Sequence, residues 1–211
     1  SIQAEILCQL GFALQQLERL EEALACYNEA YKLMPNETIK DFIARISNRL
    51  TNISPIDQLL QHAKNYENLG RLDDACKAYK AALQIHADND RALHGLGNIL
   101  RQQGDMQNAL PLIQQAIIMQ PEVAEYHNTL GMLFQQRGEV EKAVAFHQRA
   151  IRINPNNPPA LCNLGVAFKR LNRFDEAIAA YRQALQINPN MPEAYNNLGN
   201  LLWIMGDAEG A

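Results

Sequence analysis

A chain of 211 residues that is 47% apolar and 20% charged, with a formal net charge of −4, has ample material for a core but no cationic surplus for nucleic acid. No apolar run approaches the roughly 20 residues that cross a bilayer. The four cysteines, Cys8, Cys26, Cys76 and Cys162, never form a Cys-x-x-Cys pair, which argues against a zinc site and a disulfide framework. The expectation is a cytoplasmic protein that needs no cofactor or metal and binds neither nucleic acid nor membrane.

A 34-residue period runs along the chain, and such a period marks a solenoid of stacked repeats. Its cleanest copy is Pro158–Met191; counting Pro158 as position 1 places copies at 4–37, 56–89, 90–123, 124–157 and 158–191, with 192–211 the start of a sixth. Position 8 is Gly11, Ala63, Gly97, Gly131, Gly165 and Gly199. Position 20 is alanine from Ala23 to Ala211, and position 27 is alanine from Ala30 to Ala184. Small residues at fixed places suit two helices that approach closely, because larger side chains there would force the axes apart. The apolar positions 4, 7, 8 and 11 have the spacing of one helix face. Gly70, Gly104, Gly138 and Gly206 at position 15 predict the turn inside each repeat, and Pro35, Pro121, Pro155 and Pro189 at position 32 predict its end.

One stretch breaks the period. Ala23 and Ala75 stand 52 residues apart, so the 18 residues Thr38–Pro55 intrude. Ile39, Phe42, Ile43, Ile46 and Leu50 form an amphipathic face that predicts one helix over about 39–51, with Thr38 as N-cap. Two readings stay open: a divergent repeat without its second helix, or a break or cap between the first repeat and the rest. At the other end, the chain stops at position 20 of the sixth copy, which predicts either a fragment of a longer protein or one whose disordered remainder is absent. An open last repeat would pair with a second copy or pack on a following domain.

With these marks in place, the chain resembles tetratricopeptide repeat proteins over residues 4–37 and 56–211. The resemblance implies an all-α fold, a right-handed superhelical solenoid of helix–turn–helix repeats with one inserted helix. It also implies a concave surface, lined by first helices, that grips an extended peptide. Positions 2, 5, 6, 9, 12 and 13 lie opposite the packed stripe. The partner-facing candidates there are Asn98, Arg101, Asn128, Met132, Asn163, Val166, Lys169, Asn197, Asn200 and Trp203. Asparagine amides both donate and accept, which suits peptide backbone, and Trp203 is the anchor candidate because aromatics dominate binding hot spots. The two-carboxylate clamp of some family members has a counterpart beginning at His94 and Asn98, but Thr129 and Pro159 replace its asparagine and lysine. The tail Ala194–Ala211 is similar to the repeat arm of O-linked N-acetylglucosamine transferases. Only Asn163 and Asn197 keep that family's position-6 asparagine, while Gln9, Gln61, Gly95 and Thr129 do not.

No catalytic motif stands out: there is no His-Glu-x-x-His, no phosphate-binding loop and no Gly-x-Ser-x-Gly. His62 and His147 fall on core positions and read as packing residues, whereas His94 reads as solvated or peptide-contacting. Asp73-Asp74 and Glu21-Glu22 start second helices, where negative charge suits the helix dipole. Asn36-Glu37-Thr38 and Asn52-Ile53-Ser54 match a glycosylation sequon of low specificity. The leading expectation is a non-catalytic scaffold that binds a protein or peptide. The alternatives are a substrate-recruiting arm of an enzyme continuing beyond Ala211, and self-association through the last repeat.

Overall fold

The computed structural model describes residues 2–52 and 54–206, among which twelve α-helices and no strand occur. Ile53 of the second sequon and Ala211 at position 20 fall outside them, as do the side chains of Leu50 and Asn52. The chain divides into two compact units, Ser1–Gln58 and Leu59–Ala211.

In the first unit, α1 (Ile2–Gln16) and α2 (Leu20–Leu33) form a helical hairpin, and Gly11 lets the Tyr27 ring approach the α1 backbone. The inserted helix, α3, spans Glu37–Asn52. Its cap is Asn36 rather than the expected Thr38: Asn36 Oδ1 accepts from Ile39 N at 2.8 Å, and Thr38 lies exposed in the first turn. An asparagine one residue ahead of the helix can fold back onto a free N–H, whereas Thr38 already has helical backbone. Buried Ile39 and Ile46, with Phe42 and Ile43, pack against α2, and the Phe42 ring stacks on Tyr27 at 5.2 Å. The insertion therefore shares the core of the first hairpin.

In the second unit, which takes in α4 (Pro55–Asn68) from Leu59 on, the hairpins follow one another: α4 with α5 (Leu72–Ile85), α6 (Asp90–Gln102) with α7 (Met106–Met119), and α8 (Ala124–Gln136) with α9 (Val140–Ile153). Then come α10 (Pro158–Arg170) with α11 (Phe174–Ile187), and α12 (Pro192–Ile204). The turn inside a hairpin needs positive φ at position 15, as at Gly104 with φ +86°. That conformation brings Asp105 N onto Leu100 O at 2.9 Å, satisfying a carbonyl the helix end would otherwise orphan. Asn172 and Glu18 hold the same place at φ +57° without a glycine. Second helices end at the same place in each repeat, before a proline in four of them and, at His86 of α5 with ψ 99°, before Ala87. Asn154 and Asn188, the residues before Pro155 and Pro189, turn extended with ψ 97° and 95°.

The small positions do what their period predicts, with one refinement. Position 8 faces position 24 as well as 20: a Cβ on Gly131 would lie 2.6 Å from the His147 ring, and one on Gly165 2.5 Å from Tyr181. The described alanines at positions 20 and 27 are all fully buried. Successive first helices touch, α6 to α8, α8 to α10 and α10 to α12, while successive second helices stay further apart. A stack drawn together along one edge curves toward that edge. The first helices of this unit therefore line its inner side.

Candidate functional site

Side by side, the first helices fall into a register in which a residue meets the one 35 places on. Asn163 Nδ2 donates to Asn128 Oδ1 at 3.2 Å, His94 Nε2 lies 2.9 Å from Thr129 Oγ1, and Asn197 Nδ2 lies 3.7 Å from Cys162 Sγ. These pairs join position 5 of one repeat to position 6 of the next. A second line joins position 12 to position 13: Arg101 Nη1 donates to Gln136 Oε1 at 3.1 Å, and Arg170 Nη1 to the Gln135 carbonyl at 2.5 Å. Two polar ladders thus run across the inner face. Each residue type was visible in the sequence, but the one-residue offset between neighbouring helices was not.

The ladders sort the ten candidates. Asn128 is buried, and its oxygen also faces His147 Nδ1 at 2.8 Å. His147 is itself fully buried, and burial pushes its pKa down to about 4, so the ring is neutral and has a single N–H. Donating through Nδ1 to Asn128, it meets the Gln135 amide with Nε2, where the Gln135 NH2 rather than its oxygen belongs at the 3.2 Å contact. Asn163 and Asn197 are half-buried members of the ladder. Arg101 keeps only 7% of its surface exposed and also donates to Asn98 Oδ1, at 2.9 Å from Nη2. Met132, Val166 and Lys169 are half-buried, whereas Asn200 and Trp203 are exposed, the indole at 73%.

Two hollows gather part of this set. The larger, about 780 Å³, has Asn98, Arg101, Asn128 and Met132 on its wall, together with Glu125, asparagines of the loop before α10 and the two prolines that open α10. The smaller, about 300 Å³, is lined by Arg101, Met132, Gln135, Gln136, Val166 and Arg170. Arg101 and Met132 belong to both. Asn163, Lys169, Asn197, Asn200 and Trp203 line neither.

Of the two readings of His94, solvated or peptide-contacting, the first is corrected: it is 7% exposed, lies against the Tyr126 ring with centroids 4.5 Å apart, and is not solvated. Burial, then the charges of Lys64 and Arg101, push its pKa down to about 4. It borders a cleft of about 260 Å³ with Tyr79 and Tyr126, whose hydroxyls donate to Glu67 Oε1 and Asp90 Oδ2, each at 2.6 Å. Desolvation and those carboxylates raise both phenols far above the usual range. Sequence reasoning passed over the pair because Tyr79 sits on a core position and Tyr126 on none of the inner ones.

Burial raises the thiols of Cys8, Cys76 and Cys162, opposite to the shift that activates a nucleophilic cysteine. Among the described residues, no group of three or more His, Cys, Asp or Glu could hold a metal ion, and no helix is long and apolar enough to cross a membrane.

Models described as "Tetratricopeptide repeat" match residues 4–37, 88–156 and 148–179, and one described as "TPR repeat" matches 65–104 and 167–206. Among solved structures, MamA is 25% identical with a TM-score of 0.61, over 75% of this chain and 88% of that one. TTC0263, a thermophilic TPR protein of Thermus thermophilus, is 21% identical with a TM-score of 0.65, over 95% and 99%. YrrB, described as a TPR protein with an unusual peptide-binding site, is 20% identical with a TM-score of 0.58, over 90% and 89%. No curated protein sequence matches.

Proposed function

Because the chain belongs to the tetratricopeptide-repeat family, we propose that it is a non-catalytic interaction scaffold whose second unit holds an extended segment of another protein against its first helices. The observation that carries this reading is the pair of adjoining hollows on the inner side, joined at Arg101 and Met132. Their walls mix amides with half-buried apolar side chains, a composition that holds peptide backbone and seats side chains between the contacts. Asn98 keeps its NH2 for the bound segment. Asn128, Asn163 and Asn197 serve mainly by holding the helices in register, so the backbone-gripping role first read for all five asparagines narrows to Asn98 and Asn200. The likeness to YrrB agrees with peptide binding.

The experiment compares Met132→Glu, which puts a carboxylate into both hollows, with Ala145→Glu, at an exposed alanine of α9. Peptides selected on the wild-type protein should bind the first variant at least tenfold more weakly and the second unchanged. Equal loss in both, or loss in neither, removes the groove from the reading.

A second reading rests on α12, where Tyr195, Trp203, Ile204 and Met205 are 55%, 73%, 53% and 45% exposed. Such a cluster suits contact with another copy. A mass that rises with concentration and falls back in Trp203→Lys supports it, and one constant mass removes it.

A further inference from the structure

The smaller hollow holds two guanidinium groups and no acid. Arg101 and Arg170 line it with Met132, Val166, Gln135 and Gln136, and every polar partner the two arginines have among the described residues is neutral. Arg101 donates to Asn98 and Gln136, and Arg170 to the Gln135 carbonyl. Elsewhere in the chain arginines pair with carboxylates in the ordinary way, as Arg71 does with Asp74 and Arg173 with Glu176. Arg101 differs in being more than nine-tenths buried. A guanidinium withdrawn from water without a counter-charge costs free energy, which an incoming anion would offset. The neutral amides already hold the fork in place, so little ordering is left for a ligand to bear.

We infer that this hollow is the specificity pocket of the groove and takes the side-chain carboxylate of an acidic residue in the bound segment, with an adjacent apolar side chain on Met132 and Val166. The inference rests on the groove reading of the proposed function and deepens it. A side chain is assigned rather than a chain terminus because the two hollows share Arg101 and Met132 on their walls, and a segment lying along both passes the arginines. Both arginines also lie near the carboxyl end of α8, where a cation suits the helix dipole. A purely structural role of that kind would leave ligand preference untouched, and the test must read preference.

The test pans a library of random dodecapeptides, displayed with their carboxyl ends fused to the carrier so that only side chains supply carboxylates. The targets are the wild-type protein, Arg170→Gln, Arg101→Gln and Met132→Glu, each checked for unchanged helicity. Arg170 is exposed, so its variant keeps the test valid if Arg101→Gln does not fold. Wild-type binders should be enriched in Asp or Glu beside an apolar residue, and Arg170→Gln should lose that enrichment. Selected peptides, synthesised with capped ends, should weaken at least tenfold on Glu→Gln and about equally on raising salt from roughly 50 to 300 mM. A free-carboxyl version of the Glu→Gln peptide that regains full affinity would move the site to a chain terminus and overturn the assignment. Binders that Met132→Glu abolishes but that show no acidic preference would overturn this inference and leave the groove standing. Absence of binders, or binders indifferent to Met132→Glu, removes both.

Discussion

Asn128 receives on one oxygen two partners from different elements: His147 Nδ1 at 2.8 Å from its own repeat and Asn163 Nδ2 at 3.2 Å from the next. The amide thus ties a hairpin internally and fastens it to its neighbour. Removing it leaves the buried His147 N–H without an acceptor, so Asn128→Ala should cost about 2–3 kcal/mol. Asn163→Ala takes away one contact of a half-buried side chain and should cost about 1 kcal/mol or less. Urea unfolding of the two variants checks the ratio; equal losses would show that the Asn128 oxygen is no hub.

Stability should fall in mild acid. His94 and His147 take up protons near 6.5 when unfolded but only near 4 when folded. Their contribution is therefore complete above pH 6.5 and is lost as pH drops toward 4. Each ring accounts for up to about 3 kcal/mol over that window. His147→Tyr installs the residue that the same position carries at Tyr79 and Tyr181 and should flatten the decline between pH 6.5 and 4. A profile as steep as wild type would place the titration elsewhere.

Tyr79 and Tyr181 occupy the same repeat position in different company. The Tyr79 hydroxyl donates to Glu67, whereas the buried Tyr181 hydroxyl has no protein partner among the described residues, the position of Glu67 being taken by Lys169 in its repeat. Tyr79→Phe should cost about 1.5–3 kcal/mol, since the lost bond is to a charged group, while Tyr181→Phe should be nearly neutral. Thermal melts of the two variants decide it.

The turn at position 15 predicts a stabilising change. Asn172 and Glu18 sit at φ +57° where four other repeats use glycine. Asn172→Gly should gain several tenths of a kcal/mol and Glu18→Gly about 1 kcal/mol, less whatever the exposed pair with Arg49 contributes. Gly104→Ala, at φ +86°, should lose about 1 kcal/mol. Denaturation midpoints moving in opposite directions would bear this out; a shared direction would not.

Hairpins, turns and small contact positions were legible in the residues because each is local: a helix face recurs within a turn, and a left-handed turn or a proline stop is written into one residue. The inserted helix was read for the same reason, and its cap misjudged by two residues because Asn36 and Thr38 both have capping chemistry. The candidate site was legible only in composition. Asn128 and Asn98 read alike along the chain, and packing alone buries the first in a ladder while leaving the NH2 of the second without a partner among the described residues. His94 read as solvated or peptide-contacting since nothing local announces Thr129 beside it.

By itself, then, the amino-acid order determined the repeat, the hairpin within it and the face each helix turns inward, all set by steric preferences spanning fewer than 34 residues. Only the tertiary structure decided the offset of 35 between neighbouring first helices. That offset depends on how whole hairpins settle against one another, as where the His147 ring fills the space above Gly131. It places Gln136 against Arg101 and the Gln135 carbonyl against Arg170, and so leaves two arginines facing one hollow with no acid between them.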